Sequence, residues 1–156
     1  MTGLELLLYA QDLRREIARR EERIGTLRRL AEAVGRPLPG DLRVQASPDP
    51  GRTQRLLDEA VDESETVRLL AEERDAALGE LVLLISRLHD PLSAGVLQLR
   101  YLEGLPWQDV LRRIHLSRSR ACELHRRALE FLGSREAGSC IYRPDRGILS
   151  KADEMK

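Results

Sequence analysis

The chain has 156 residues, of which 42% are hydrophobic and 33% charged, enough for one compact domain or two small domains that share a core. This length excludes a large multi-domain enzyme, and the scarcity of aromatic residues beside abundant Leu, Ala, Glu and Arg argues against an all-β sandwich. Because the 26 basic residues balance the 26 acidic ones, any attraction of an anionic partner must come from local segregation of charge.

Cysteine usage and the first residues bear on the cellular compartment. Cys122 and Cys140 have no second Cys or His at ligand spacing, and the sequence does not start with a basic segment followed by a long apolar run. The longest apolar run, from Leu81 to Ile85, is too short to span a bilayer. We therefore expect a cytoplasmic protein with reduced thiols and no association with a membrane.

The first segment carries helix signals at both ends. Thr2 and Glu5 fit a capping box, and Gly35 followed by Pro37 supplies a stop signal. Between them residues recur at alternating steps of three and four, which is typical of a heptad seam with Arg20 as its one polar member. The members of this first seam are Leu6, Ala10, Leu13, Ile17, Arg20, Ile24, Leu27, Ala31 and Val34.

A proline-rich linker separates this segment from a second helical pattern. Residues 36–51 contain four prolines, which cannot continue a helix, and the second pattern follows from Thr53 to Leu88. Two long helices with one seam each predict an antiparallel, coiled-coil-like hairpin over residues 1–88. The members of the second seam are Leu57, Ala60, Ser64, Val67, Ala71, Arg74, Leu78, Leu81, Ile85 and Leu88.

The two seams also predict how the helices pair. If the chain turns between the last residue of the first seam and the first residue of the second, residues opposite one another have numbers that sum to about 90. An arginine in a seam must bind a carboxylate or reach solvent, so we expect Arg20 near Glu73 and Arg74 near Glu16. The heptad pattern itself carries no chemistry, so a spacer or dimer stalk fits it as well as a specific binding role does.

A boundary follows the second helical pattern. The residue before a proline is pushed out of the helical region, while Pro91 can begin a new helix and Asp90 can cap it. Residues 89–133 then show three short helical patterns, closed by a glycine. These patterns run over Leu92–Leu102, Pro106–Ile114 and Ser117–Leu132.

The last two of these helices are joined by a short turn, and the second is opened by a serine cap and is rich in arginine. This is the pattern of a helix-turn-helix, so the predicted fold class is all-α, with a long hairpin followed by a three-helix DNA-binding domain over residues 89–133. Residues 134–156 show no periodicity, and we expect a flexible tail.

Charge is segregated along the chain. Between Arg112 and Arg127 six arginines stand against one acid, a local formal charge of +5, whereas Leu56 to Glu80 carries −7. The positive pole therefore falls on the proposed recognition helix, as DNA binding requires. The simpler interpretation is that these arginines form a solvated helix face.

Four stretches resemble the helix-turn-helix of sigma-70 region 4, which docks its second helix in the major groove of a promoter element. They are LQLRYLEGL at 97–105, WQDV at 107–110, LSRSR at 116–120 and RALEFL at 127–132. Trp107, the LHRRAL ending at 124–129 and the Ser-Pro linker before a long helix resemble more closely a family of small phage and prophage proteins, some described as sigma-like transcriptional regulators, mainly of Gram-positive bacteria. The resemblance covers about residues 4–132, with specific motifs only in 97–132.

The chain departs from the sigma pattern at three points. Val110 and Leu111 stand where region 4 usually has an Ile-Ala pair, and His115 stands where the turn usually has glycine, a residue that tolerates positive φ. No segment resembles sigma region 2, which grips the polymerase and melts DNA. The resemblance therefore implies a regulator that uses a region 4 module rather than a complete sigma factor.

Carried over residue by residue, the resemblance implies that Ser117 caps the recognition helix and contacts phosphate. The positions that face the groove are Arg118, Ser119, Arg120, Cys122 and Glu123. The arginine fork matches the acceptors of guanine, and Glu123 can accept from a cytosine amino group. The arginines better placed for phosphates are Arg112, Arg113, Arg126 and Arg127.

Other classes of function find little in the sequence. It has no glycine-rich phosphate loop and no Gly-x-Ser-x-Gly, so we expect no enzyme, and the three histidines lack the spacing of a metal site, so we expect no metal or cofactor. The expected partner is a promoter or operator in double-stranded DNA, with host RNA polymerase and a second copy of the chain as further candidates. The alternatives are a helical adaptor that binds the polymerase or a phage protein, and a DNA-recognition protein like a small terminase.

Overall fold

The computed structural model describes residues 1–36, 49 and 51–134. Most of the predicted linker 36–51, all but the first residue of the predicted tail 134–156, and Cys140 lie outside these residues. Every element in the described part is a helix, which confirms the predicted all-α fold class. The helices are α1 (Gly3–Gly35), α2 (Arg52–Ile85), α3 (Pro91–Leu97), α4 (Trp107–Ile114) and α5 (Arg118–Gly133), with a π-helical segment, Gln98–Leu102, after α3.

The first turn of α1 is closed by the predicted capping box. The backbone N–H of Thr2 donates to the Glu5 carboxylate at 2.6 Å, and the N–H of Glu5 donates to the Thr2 hydroxyl at 3.2 Å. These bonds hold the pKa of Glu5 below its usual range, chiefly through the backbone bond from Thr2. No helix of the described residues is long and apolar enough to cross a membrane.

The segment after α2 differs from the single helix predicted over Leu92–Leu102. Asp90 caps α3 as expected, accepting from the N–H of Leu92 at 3.1 Å, but α3 ends at Leu97. The next turn widens, and the N–H of Glu103 donates to the carbonyl of Gln98, five residues back, at 3.0 Å. This wider turn stands directly before the residues of the predicted helix-turn-helix.

The chain forms two compact units, and the first is discontinuous in sequence. It combines residues 1–13 with residues 72–134, so the predicted boundary between residues 88 and 89 lies inside it. One buried apolar cluster joins the start of α1 and the end of α2 to α3 and α5. Its members are Leu6, Leu7, Ala10, Ala77, Leu81, Leu84, Ile85, Leu97, Ala128 and Leu132.

A glycine permits a close approach within the first unit. A Cβ built on Gly3 would lie 3.0 Å from the backbone carbonyl oxygen of Leu132 and 3.0 Å from a methyl group of Leu84. Any larger residue at position 3 would therefore push the first turn of α1 away from the last turn of α5.

The second unit spans residues 14–71 and contains the distal part of the hairpin. Ile24, Leu27 and Ala60 form its apolar cluster, with Leu56 packed against them. Beside this cluster lies a partly buried ion-pair group centred on Arg20. The Arg20 guanidinium donates to Glu16 at 2.6 Å on the same helix and to Glu63 at 2.9 Å on the facing helix.

The antiparallel pairing of α1 and α2 is confirmed, but the predicted register is wrong. Arg20 binds Glu63, Arg23 binds Glu59 and Tyr9 donates to Glu73, pairs whose numbers sum to 82 or 83 rather than about 90. Glu73 is therefore not the partner of Arg20. The expected pair of Arg74 and Glu16 is also wrong, since Arg74 binds Asp75 and Glu16 binds Arg20.

The register error has a physical cause. The prediction aligned Val34 with Leu57 as the paired ends of the seams, but their exposed fractions are 37% and 40%, so neither anchors the pairing. A shift of about one heptad leaves the same helix faces in contact, and apolar periodicity alone cannot detect it. The bond from Arg20 to Glu63 distinguishes the two registers because it joins the two helices, whereas the bond from Arg20 to Glu16 lies within α1 and is possible in either register.

Oxidative cross-linking tests this register. In a chain carrying Cys122→Ser and Cys140→Ser, cysteines introduced at Leu27 and Leu56 are expected to form a disulfide within one monomer, because both positions belong to the same apolar cluster. The matched control places cysteines at Leu27 and Ser64, the pairing that a sum of about 90 requires. Non-reducing gels of dilute protein give the measurement. A cross-linked monomer from the control pair alone would restore the register predicted from the seams.

Candidate nucleic-acid interface

The turn between α4 and α5 has the geometry of a helix-turn-helix. α4 ends at His115, whose φ of 53° and ψ of 38° lie in the left-handed region and whose N–H donates to the carbonyl of Leu111 at 3.1 Å. A histidine thus adopts the conformation that glycine favours. Ser117 then caps α5, as predicted, and its hydroxyl accepts from the N–H of Arg120 at 3.3 Å.

α5 has one buried and one exposed face. Ala121, Leu124, Ala128 and Leu132 are buried. The ten residues predicted for DNA binding all retain solvent exposure, nine of them being exposed and Glu123 half-exposed. Those on α5 and at its cap are Ser117, Arg118, Ser119, Arg120, Cys122, Glu123, Arg126 and Arg127, and those on α4 are Arg112 and Arg113.

Glu123 lies between two arginines of the predicted site. One of its carboxylate oxygens, Oε2, accepts from Arg120 Nη1 at 2.9 Å, and the other, Oε1, accepts from Arg127 Nη2 at 2.6 Å. The hydrogen bond from Arg120 and the positive charge of Arg127 hold the pKa of Glu123 below its usual range. Each oxygen therefore already accepts one hydrogen bond, and a cytosine amino group would have to share an oxygen with one of these arginines.

Three further arginines also bind carboxylates. Arg126 donates to Glu130 at 2.5 Å, Arg113 to Glu103 at 3.1 Å, and Arg112 lies 3.5 Å from a carboxylate oxygen of Asp109. These three acids flank residues 112–127, whose formal charge alone is +5, and over residues 103–130 the formal charge is only +2. The positive potential of the candidate site is thus weaker than the charge of residues 112–127 predicted.

Arg118 stands apart from the other arginines of the helix-turn-helix. Among the residues that the structure describes, it has no ion pair with a carboxylate, whereas the other five arginines between 112 and 127 each have one. It is also the first residue of α5, next to the serine cap. Its guanidinium can therefore approach an acceptor without first leaving a carboxylate of the described residues.

The carboxylate partners were missed in the sequence, although two of them carried a signal. Asp109 precedes Arg112 by three residues and Glu130 follows Arg126 by four, which are the spacings at which side chains meet on one helix face. Glu103 lies ten residues before Arg113 and outside any common helix. That pair depends on the path of the chain after the π-helical segment.

A polar aromatic cluster supports the start of the helix-turn-helix. The Tyr101 hydroxyl lies 2.7 Å from His125 Nε2, the Trp107 ring meets the His125 ring edge-on at 5.0 Å between centroids, and Arg100 lies 5.7 Å above the Trp107 ring. Burial, followed by the nearby charge of Arg100, lowers the pKa of His125. Trp107 is half-buried and joins α4 to α5 through this histidine.

The described residues contain no group of three or more His, Cys, Asp or Glu side chains arranged to hold a metal ion. No significant match to this chain is found among protein-family models, curated proteins or solved structures.

Proposed function

We propose that this chain is a sequence-specific duplex-DNA-binding protein, a transcriptional regulator of phage or prophage type, whose helix α5 enters the major groove. The observation that carries the proposal is the division of α5. One face is buried in the core of the first unit, to which α5 belongs, while the other presents a serine cap and a cluster of arginines to solvent. A short helix, a tight turn and a second helix with this division are the form in which helix-turn-helix proteins read base edges.

The contacts suggest different roles for the arginines. Arg118, at the first position of α5 and without a carboxylate partner in the described chain, is the best placed to read a base, and its fork matches the O6 and N7 acceptors of guanine. Arg112, Arg113 and Arg126 form exposed ion pairs, and such pairs exchange readily for phosphate because each contributes little. We therefore expect one of these arginines to contact a base and the other three to contact phosphates.

Selection from a randomised duplex pool, followed by titration, tests the proposal. Arg118→Ala is expected to weaken binding to the selected duplex by about 1–3 kcal/mol and to relax the preference at one base pair. Arg126→Ala should weaken the selected and the random duplex alike and reduce the dependence of affinity on salt, because it removes a phosphate contact.

The matched control is Arg68→Ala, which removes the same charge from an exposed pair with Glu65 on α2. It should leave both affinities unchanged. If no duplex is enriched over the random pool at physiological salt, sequence-specific binding is wrong and the adaptor alternative is favoured.

A further inference from the structure

We propose that Glu123 limits the sequence-independent affinity for DNA, by holding Arg120 and Arg127 back from the phosphate backbone. This inference rests on the DNA-binding role proposed above. Glu123 is then a positioning residue that acts through two arginines, in place of the direct contact with cytosine that the sequence suggests.

The geometry that carries the proposal is a carboxylate shared by two guanidinium groups. Arg120 and Arg127 lie three residues before and four residues after Glu123, so all three side chains share one face of α5. Each arginine donates to a different oxygen of Glu123. The Glu123 side chain is 39% exposed, less than the side chain of either arginine. No other carboxylate among those of the described helix-turn-helix binds two of its arginines in this way.

The consequence follows from the electrostatic origin of sequence-independent affinity. Non-specific binding is almost entirely electrostatic and grows with each phosphate that an arginine neutralises. An arginine bonded to Glu123 has a donor occupied and its charge partly compensated, so it gains less from a phosphate than an unpaired arginine does. Since phosphate contacts form on any sequence, Glu123 lowers affinity for the random and the selected duplex alike.

Two variants of α5 separate this role from a simple effect of net charge. Glu123→Gln and Glu130→Gln each remove one negative charge, but Glu123 binds two arginines and Glu130 binds only Arg126. On a random duplex, the slope of log affinity against log salt should steepen by about two phosphate equivalents for Glu123→Gln and hardly change for Glu130→Gln, because the exposed pair of Arg126 already exchanges for phosphate. Glu123→Gln should also raise affinity for the random and the selected duplex alike, by about fivefold.

A third variant, Glu123→Asp, keeps the charge but withdraws the carboxylate by one methylene from both arginines. It should steepen the salt slope to a value between those of the wild type and Glu123→Gln. A slope for Glu123→Asp equal to that of the wild type, or equal steepening by the two glutamine variants, would show that only charge matters and would overturn the role of Glu123.

The wild-type titration distinguishes failure of this inference from failure of the proposed function. If the wild type binds no duplex at low salt, the DNA-binding role is wrong and the role of Glu123 falls with it. If the wild type binds its selected duplex while Glu123→Gln leaves the salt slope unchanged, only the role of Glu123 is overturned. Thermal melting of each variant verifies that the fold is retained.

Discussion

Replacing Leu81 by alanine is expected to lower the free energy of unfolding of the first unit by about 2–5 kcal/mol. Leu81 is 0% exposed and belongs to the apolar cluster that joins α1 and α2 to α3 and α5. Truncation removes apolar contacts and leaves a cavity that the surrounding helices can fill only in part. Since α5 contributes to the same cluster, the helix-turn-helix should lose stability together with the hairpin base.

The chain supplies both a local probe and a matched control for this measurement. Trp107 is the only tryptophan and lies in the first unit, so its fluorescence during urea titration reports on that unit. Leu83→Ala makes the same substitution two residues away on α2, where the side chain is 59% exposed, and should change stability by less than about 0.5 kcal/mol. Equal losses from the two variants would contradict the position of the core.

Arg20→Ala is expected to destabilise the second unit by about 1–3 kcal/mol, because two partly buried carboxylates lose their shared cation. Within the described residues, Glu16 then keeps the exposed Arg19, and Glu63 keeps Arg23 at 3.7 Å. The side chains of Arg20, Glu16 and Glu63 are only 19%, 8% and 15% exposed. Arg68→Ala breaks an exposed pair with Glu65 and should cost less than about 1 kcal/mol. Circular dichroism at the helical band during denaturation compares the two variants.

A variant in which Arg20, Glu16 and Glu63 are all replaced by leucine shows how much the ion-pair group itself contributes to stability. Arg20→Ala alone measures the cost of removing one charge from the group. Because burying charges is costly even when they are paired, the triple variant is expected to be as stable as the wild type or more stable. If Arg20→Ala proves as mild as Arg68→Ala, the ion-pair group does not hold the register of the hairpin.

Local signals in the sequence predicted the helix ends well. The capping box of Thr2 and Glu5 and the caps at Asp90 and Ser117 depend on residues only two or three positions apart, and all three are confirmed. His115, which stands where the sigma pattern usually has glycine, adopts the positive φ of 53° that this turn position requires. The π-helical turn at 98–102 carried no such signal and replaced the end of a helix predicted as continuous.

Contacts between distant segments were harder to predict. The hairpin register depends on which carboxylates of α2 reach Arg20, and a heptad shift preserves every apolar face while changing that partner. In the candidate interface, exposure of the arginines followed from helical periodicity. Their charge balance did not, because the pair between Arg113 and Glu103 crosses from one segment to another.

The close approach of Gly3 to Leu132 also constrains the order in which the protein can fold during synthesis. The first turn of α1 leaves the ribosome about 130 residues before the part of α5 on which it packs. The core of the first unit therefore cannot close until translation of the described chain is nearly complete. Residues 14–71 are contiguous, and their helices can pair much earlier. The apolar start of α1 can pack against the end of α2 once that helix is made, but the surface that contacts α5 stays open to chaperones or to incorrect pairing until residue 132 has been synthesised.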